Sequence, residues 1–250
     1  MNHNLVQYIY GIADNALILG QRLGELCGHG PNLETDIAMT NIALDLLGQT
    51  RSYYQYAAKF SGNEATEDTI AFLRSEREYK NVLLVEQPNT DFAYSIGRQF
   101  LFDVYHLLML EQLQNSSDET LQAIAKKSIK EVSYHKRFSS DWIKRLGDGT
   151  EESHNKMQNA INDLWTFTDE LFHQTDADKV MVSEHIGVDV SQLKEPYYAI
   201  VSDILTESTL QVPDLKYFQK GGKQGIHSEH MGYLLADLQY MQRTFPNMNW

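Results

Sequence analysis

From Leu5 the apolar residues Leu5, Ile9, Ile12, Ala16, Leu19, Leu23 and Leu26 follow one another at steps of four and three. A seven-residue repeat of this kind keeps one seam of a helix apolar and is the pattern of a bundle helix. Gly28, His29, Gly30 and Pro31 end it, and a second helical stretch is predicted from Glu34 to Phe60, before Ser61 and Gly62. A shorter helix follows Thr66. Pro88 closes that connection, and Asp91 is placed to cap a third long helix from Phe92 to Gln114. Phe100 to Leu110 within it is apolar on nearly every side except at Asp103 and His106, which predicts a central or interface helix. Asn115 to Asp118 is a capped turn. The fourth long helix runs on to Leu146 with a stripe of Leu121, Ile124, Ala125, Val132, Phe138, Trp142 and Leu146 at about 100° per residue. Gly147 and Gly149 end it.

A fifth helix starts near Thr150 and carries Met157, Ile161, Leu164, Trp165 and Phe172; Asp176 to Val190 is looser. Pro196 suits the first turn of a helix reaching Ser208, and Ser228 suits the cap of a last helix with Met231, Leu234, Leu235, Leu238 and Met241. No alternating strand pattern competes. The expected architecture is all-α, four long helices with satellites, forming one domain over residues 1–250.

Composition narrows the function classes. Acids outnumber Lys and Arg by 34 to 21, a formal charge of -13 with no basic block to offset it, so nucleic acid and anionic membrane are disfavoured as partners. Met1 to Ile12 has no Lys or Arg ahead of its apolar residues, and no apolar run approaches spanning length, so a cytoplasmic protein is expected. The single cysteine, Cys27, forms no internal disulfide and reads as a small buried filler at a helix end.

One acid lies near the middle of each long helix: Asp14, Asp45, Asp103 and Glu131. Carboxylate-bridged di-iron bundles need four inward acids with a His three residues after two of them, so that both ligands face one pair of metals. Here the third residue after Asp45 is Gly48, which has no side chain to offer, and after Glu131 the histidine arrives one place late, at His135. Asp103 and His106 do have the three-residue step, on the helix where only an acid is required. Asp14 points away from the leucine repeat of its own helix. Glu131 and His135 share the predicted stripe and are expected to touch. The set Asp14, Asp45, Gly48, Asp103, His106, Glu131 and His135 therefore reads as the degenerate remnant of a metal site, its buried acids and histidines bonding one another. A divergent di-iron or di-manganese enzyme using these residues is the alternative, and a bundle whose emptied pocket takes a small molecule is a weaker third. The Glu151/His154 and Glu170/His173 pairs have ligand spacing but fall at helix ends and read as solvated surface. Gly221 to Gly225, followed by His227 and His230, fits neither a P-loop nor a dinucleotide fingerprint and reads as a loop leading into a capped helix.

The segments Gln21 to Glu25 with Cys27 to His29, Ile42 to Gln49, Leu84 to Asn89, Lys130 to His135 with Arg137 to Ser139, and Gly221 to Gly232 together make the chain resemble, over its whole length, the PaaC-type subunits of the bacterial phenylacetyl-CoA ring epoxidase family. That resemblance implies a ferritin-like helical subunit, structural and without catalytic residues of its own, in a multicomponent monooxygenase of aerobic phenylacetate catabolism. It further implies a homologous PaaA-type catalytic partner that holds the di-iron centre, small PaaB-type and PaaD-type proteins, and a PaaE-type reductase with FAD, an iron-sulfur cluster and NADPH. No cofactor is implied in this chain. Self-association without the partner is left open. The nearly all-round apolar Phe100 to Leu110 helix and fourteen tyrosines lead us to expect an extensive subunit interface.

Overall fold

The computed structural model describes residues 2–62, 64–246 and 248. The fold is all-α, as a ferritin-like chain requires. Its helices, in chain order, are α1 (Asn2–Gly24), α2 (Leu33–Ala58), α3 (Glu67–Phe72), α4 (Leu83–Glu86), α5 (Phe92–Leu113), α6 (Glu119–Gly147), α7 (Glu151–Trp165), α8 (Asp176–Ser183), α9 (Lys194–Glu207) and α10 (Glu229–Thr244). No helix among the described residues is long and apolar enough to cross a membrane. Packing gathers the chain into two compact units: residues 1–86 with 175–177 and 221–250, and residues 87–174 with 178–220.

In the first unit α1 packs along α2, with α3, α4 and α10 around them. Asn32 starts α2 by accepting the Thr35 amide at 2.9 Å. Every residue from Ala13 to Gly20 is buried, so this half of α1 is enclosed on all sides and not along its leucine seam alone. That corrects the reading of Asp14: the face opposite the repeat is covered by the connection between α3 and α4, and Asp14 is fully buried there. Cys27 is corrected in the other direction. α1 stops at Gly24, so Cys27 stands in the following turn and is exposed.

In the second unit α5 packs along α6, with α7 and α9 against both. Asp91 caps α5 through the Tyr94 amide at 2.8 Å, and Asp118 caps α6 through the amides of Thr120 and Leu121 at 3.0 and 2.9 Å. Phe100 to His106 is buried without interruption, so the apolar helix fills the middle of this unit and offers no interface there; the expected subunit contact has to lie elsewhere. The deep stripe of α6 is Leu121, Ala125, Ser128, Val132, His135, Ser139 and Ile143. It is turned from the predicted one, leaving Ile124, Phe138, Trp142 and Leu146 half-buried, because three of its members are polar and do not announce themselves by hydropathy.

Three glycines hold a loop against the first unit's backbone. A Cβ on Gly222 would strike the Asn81 carbonyl oxygen, one on Gly225 would strike that of Arg77, and one on Gly221 would lie 2.8 Å from that of Ile226; the φ angles of Gly225 and Gly221 are also positive. Gly11, inside α1, would meet nothing within 4 Å. Gly222→Ala should therefore cost about 1–3 kcal/mol through forced backbone displacement, while Gly11→Ala should gain about 0.5–1 kcal/mol from the unfolded chain's lost freedom. Paired urea denaturation curves read both, and equal effects of the two changes would contradict this account of the loop.

Candidate functional site

The acid of α1 is committed to an internal cation. Arg74, just past the end of α3, donates from Nη2 to Asp14 Oδ1 at 2.7 Å and from Nη1 to Oδ2 at 3.0 Å. The Lys80 amide donates to Oδ2 at 2.7 Å, and the Tyr54 hydroxyl to Oδ1 at 2.5 Å. The guanidinium lies over the rings of Tyr79 and Tyr10, at 4.2 and 4.4 Å from their centroids, and is buried. Burial alone works against the charge of Arg74, and Asp14 with Tyr54 outweighs it, so the group stays protonated. Burial likewise holds the Tyr54 phenol well above its ordinary range. From α10, Gln239 donates to the Arg74 carbonyl and to the Tyr79 hydroxyl, both at 2.9 Å. Arg74, Tyr54, Tyr79 and Gln239 do not stand out in the sequence; the signal available is the buried acid itself, which requires a counter-charge.

The other α2 candidates lie near that helix's outside. Asp45 is half-buried, and Gly48 is exposed with open space where a side chain would be.

A second buried acid of this unit, Glu86, is equally silent in the sequence. Its Oε1 accepts from Asn81 Nδ2 at 2.9 Å and meets His227 Nδ1 at 2.5 Å; its Oε2 accepts from the Ser228 amide and hydroxyl at 2.8 and 2.6 Å. Ser228 therefore precedes α10 without capping it by its own side chain, its hydroxyl being given to Glu86 instead. His227 Nε2 faces the Tyr79 carbonyl at 3.1 Å. With an acceptor at each ring nitrogen the imidazolium is favoured: burial lowers the pKa of His227, and Glu86 more than reverses it.

In the second unit, Asp103, His106 and His135 are all buried between α5 and α6. Asp103 accepts from Gln99 Nε2 at 2.6 Å and from the Ser139 hydroxyl at 2.8 Å. Its surroundings do not match it as Arg74 matches Asp14: burial pushes its pKa up to about 7, and His135 together with the two hydrogen bonds restrains the rise. Burial, with His135 nearby, pulls His106 down to about 3, so this imidazole is neutral. His135 is fully buried on α6, and Glu131 is half-buried on the same helix. Of the two ExxH pairs, Glu170 is buried, contrary to the surface reading, because Leu171 and Phe172 of the same 3₁₀ turn are drawn into the core. His173 meets Asp169 at 3.1 Å, and His154 meets the Gly147 carbonyl at 2.7 Å. Among the described residues no group of three or more His, Cys, Asp or Glu is gathered so as to hold a metal ion.

Arg74→Met should destabilise the protein by about 3–5 kcal/mol by leaving Asp14 buried and unpaired, and Asp14→Leu/Arg74→Met should recover most of that loss. Chemical denaturation of the three proteins checks it, and a single variant within about 1 kcal/mol of the parent would contradict the pairing. For the α5–α6 seam the pH dependence has two opposed parts. An acid with a raised folded pKa loses stability as pH climbs from about 4 to about 7, whereas a histidine with a lowered one loses it as pH falls from about 6.5 towards 3. Asp103→Asn removes only the first, so stability should then rise with pH, on the order of 3 kcal/mol more than in the parent between about pH 4 and 6.5. Denaturation midpoints across that window that move in parallel for parent and variant would refute the assignment.

The family model for phenylacetic acid catabolic proteins of the PaaA and PaaC kind matches residues 1–250. The chain is also 48% identical, over 248 residues, to a protein of Escherichia coli (strain K12) named as a subunit of 1,2-phenylacetyl-CoA epoxidase, covering 99% of this chain and 100% of that relative. With the all-helical fold and a match spanning the full sequence, the chain belongs to the phenylacetic acid catabolic protein family.

Proposed function

We propose that the chain is the structural, non-catalytic subunit of a multicomponent phenylacetyl-CoA epoxidase, and that it pairs with and stabilises a homologous PaaA-type subunit carrying the di-iron centre. The observation that carries this reading is the fate of Asp14: an acid placed for a metal ligand gives both carboxylate oxygens to Arg74, with Tyr54 and the Lys80 amide completing its shell. On this reading Asp14, Asp45, Gly48, Asp103, His106, Glu131 and His135 are the remnant of an ancestral metal site, no residue of the chain is catalytic, and the chain works in the cytoplasm. The identity to a relative named as an epoxidase subunit supports the assignment to that complex. PaaB-type and PaaD-type small proteins, together with a PaaE-type reductase carrying FAD, an iron-sulfur cluster and using NADPH, would complete the system.

The test has two arms. Iron-replete expression of the chain alone should yield well below one equivalent of iron or manganese per chain, by elemental analysis; two tightly held metals would establish the divergent-enzyme reading instead. Co-expression with the PaaA-type partner should give one complex by size-exclusion chromatography, active on phenylacetyl-CoA with reductase and NADPH, while the chain alone shows no turnover. A partner equally soluble and active without this chain would remove the structural role.

A further inference from the structure

The second unit holds a cleft of about 480 Å³ between the end of α5, the turn that follows it, and the chain from α8 to the start of α9. That is room for a small molecule. Its walls are pinned together: the Ser116 hydroxyl donates to the Ile186 carbonyl at 2.7 Å, and the Ser117 amide to that of His185 at 3.0 Å. Leu108, Leu113, Val182, Ile186, Val188 and Leu193 give it an aliphatic wall. It shares no residue with the Asp103, His106 and His135 seam, and no Lys or Arg lines it.

Asp189 lines the cleft and is half satisfied. Its Oδ1 accepts from Gln174 Nε2 at 2.6 Å and from the Ser191 amide and hydroxyl at 3.1 and 2.5 Å, while Oδ2 has no hydrogen bond or ion pair among the described residues. Three neutral donors thus fix the carboxylate without bringing a cation to it. The C-terminal ends of α5 and α8 border the cleft with partial negative charge and the start of α9 with partial positive charge, so the helix ends add nothing for an anion. His185, also in the lining, ends α8 at φ 59°, the left-handed conformation usual for Gly, with the Ile186 and Gly187 amides closing on the Met181 carbonyl. Its exposed imidazole has no hydrogen-bond partner among the described residues. A bulky ring held at a backbone cost, with no internal hydrogen bond to offset it, points to a ligand.

We propose that this cleft binds a small organic cation, a protonated primary amine carrying an apolar body, with the ammonium at Asp189 Oδ2, the body along the aliphatic wall and the His185 ring as a further contact. A carboxylate or phosphate ligand would meet the charge of Asp189 with no base to offset it. A divalent metal ion would need more oxygen ligands than one carboxylate supplies. Nothing in this site requires the epoxidase role.

The test titrates the full-length, ¹⁵N-labelled chain with hexylamine, 1-hexanol, hexanoate and ethylamine, followed by NMR. Hexylamine should move the amide signals of residues 185–189 saturably, with a Kd on the order of 1 mM. Hexanol lacks the charge and ethylamine most of the apolar body, so each should bind about tenfold more weakly or worse, and hexanoate should leave these signals in place. Asp189→Asn keeps an acceptor for the Ser191 amide and should lower hexylamine affinity about tenfold without changing that of hexanol. His185→Gly should melt at or above the parent's temperature, because Gly takes this backbone conformation freely, and yet bind hexylamine several-fold more weakly. Circular dichroism checks each fold; should Asp189→Asn not fold, the four ligands and His185→Gly decide. No saturable shift at residues 185–189 up to about 20 mM, hexanol or hexanoate binding as tightly as hexylamine, or unchanged hexylamine affinity in either folded variant would each overturn the proposal.

Discussion

The first unit depends on one buried ion pair. A carboxylate enclosed on every side in the middle of α1 is tolerable only with a charge to match it, and Arg74 supplies that charge from just beyond α3. The pairing dictates much of its surroundings. Arg74 has to be followed by a turn that brings the Lys80 amide to the same carboxylate. Tyr10, Tyr54 and Tyr79 have to stand around the guanidinium, where their faces replace hydration at no polar cost. The carbonyl of Arg74 then needs its own donor, which is why Gln239 of α10 is buried there. A helix 160 and more residues away is thus held by the needs of a single acid.

The glycine loop before α10 solves a related problem. Glu86 is buried beside that network, and its carboxylate is satisfied by Asn81, His227 and Ser228. Bringing residues 227 and 228 so close requires the preceding loop to lie directly on the backbone of residues 77–83, and only residues without a Cβ fit there. The same Glu86 offers its backbone carbonyl to Arg22 Nε and Nη2 at 3.0 and 2.8 Å, so α1, α4 and the start of α10 share one buried polar junction. The motif whose glycines resemble a phosphate cradle is a packing device.

Helix positions are legible because they rest on local signals: Asn32, Asp91, Asp118 and Thr150 all cap as side-chain acceptors, and α2, α5 and α6 start and stop within two residues of where glycines and caps place them. Side-chain partners are less legible, for reasons that differ by residue. The stripe of α6 is misplaced by hydropathy because Ser128, His135 and Ser139 occupy its deepest positions, and hydropathy assigns such residues outward. Asp14 reads outward because periodicity describes one face of a helix, and α1 has no exposed face over residues 13–20. Arg74 is invisible because its partner lies sixty residues earlier and no spacing rule connects a loop cation to a helix acid.

Asp14 and Asp103 show two answers to the same physical problem. In a carboxylate-bridged metal centre the metals supply positive charge to acids that hydrocarbon would otherwise force to protonate. Without such a charge, a buried acid either has an organic cation beside it or rises towards its neutral form. Asp14 took the first course and is locked into a bidentate pair with Arg74. Asp103 took the second: its hydrogen bonds from Gln99 and Ser139 and the nearby His135 restrain its pKa without holding it in the ordinary carboxylate range. The neighbouring His106 is driven neutral by the same burial. Both arrangements keep a carboxyl group in a closely packed helix interior, one through a matched cation and the other through a raised pKa.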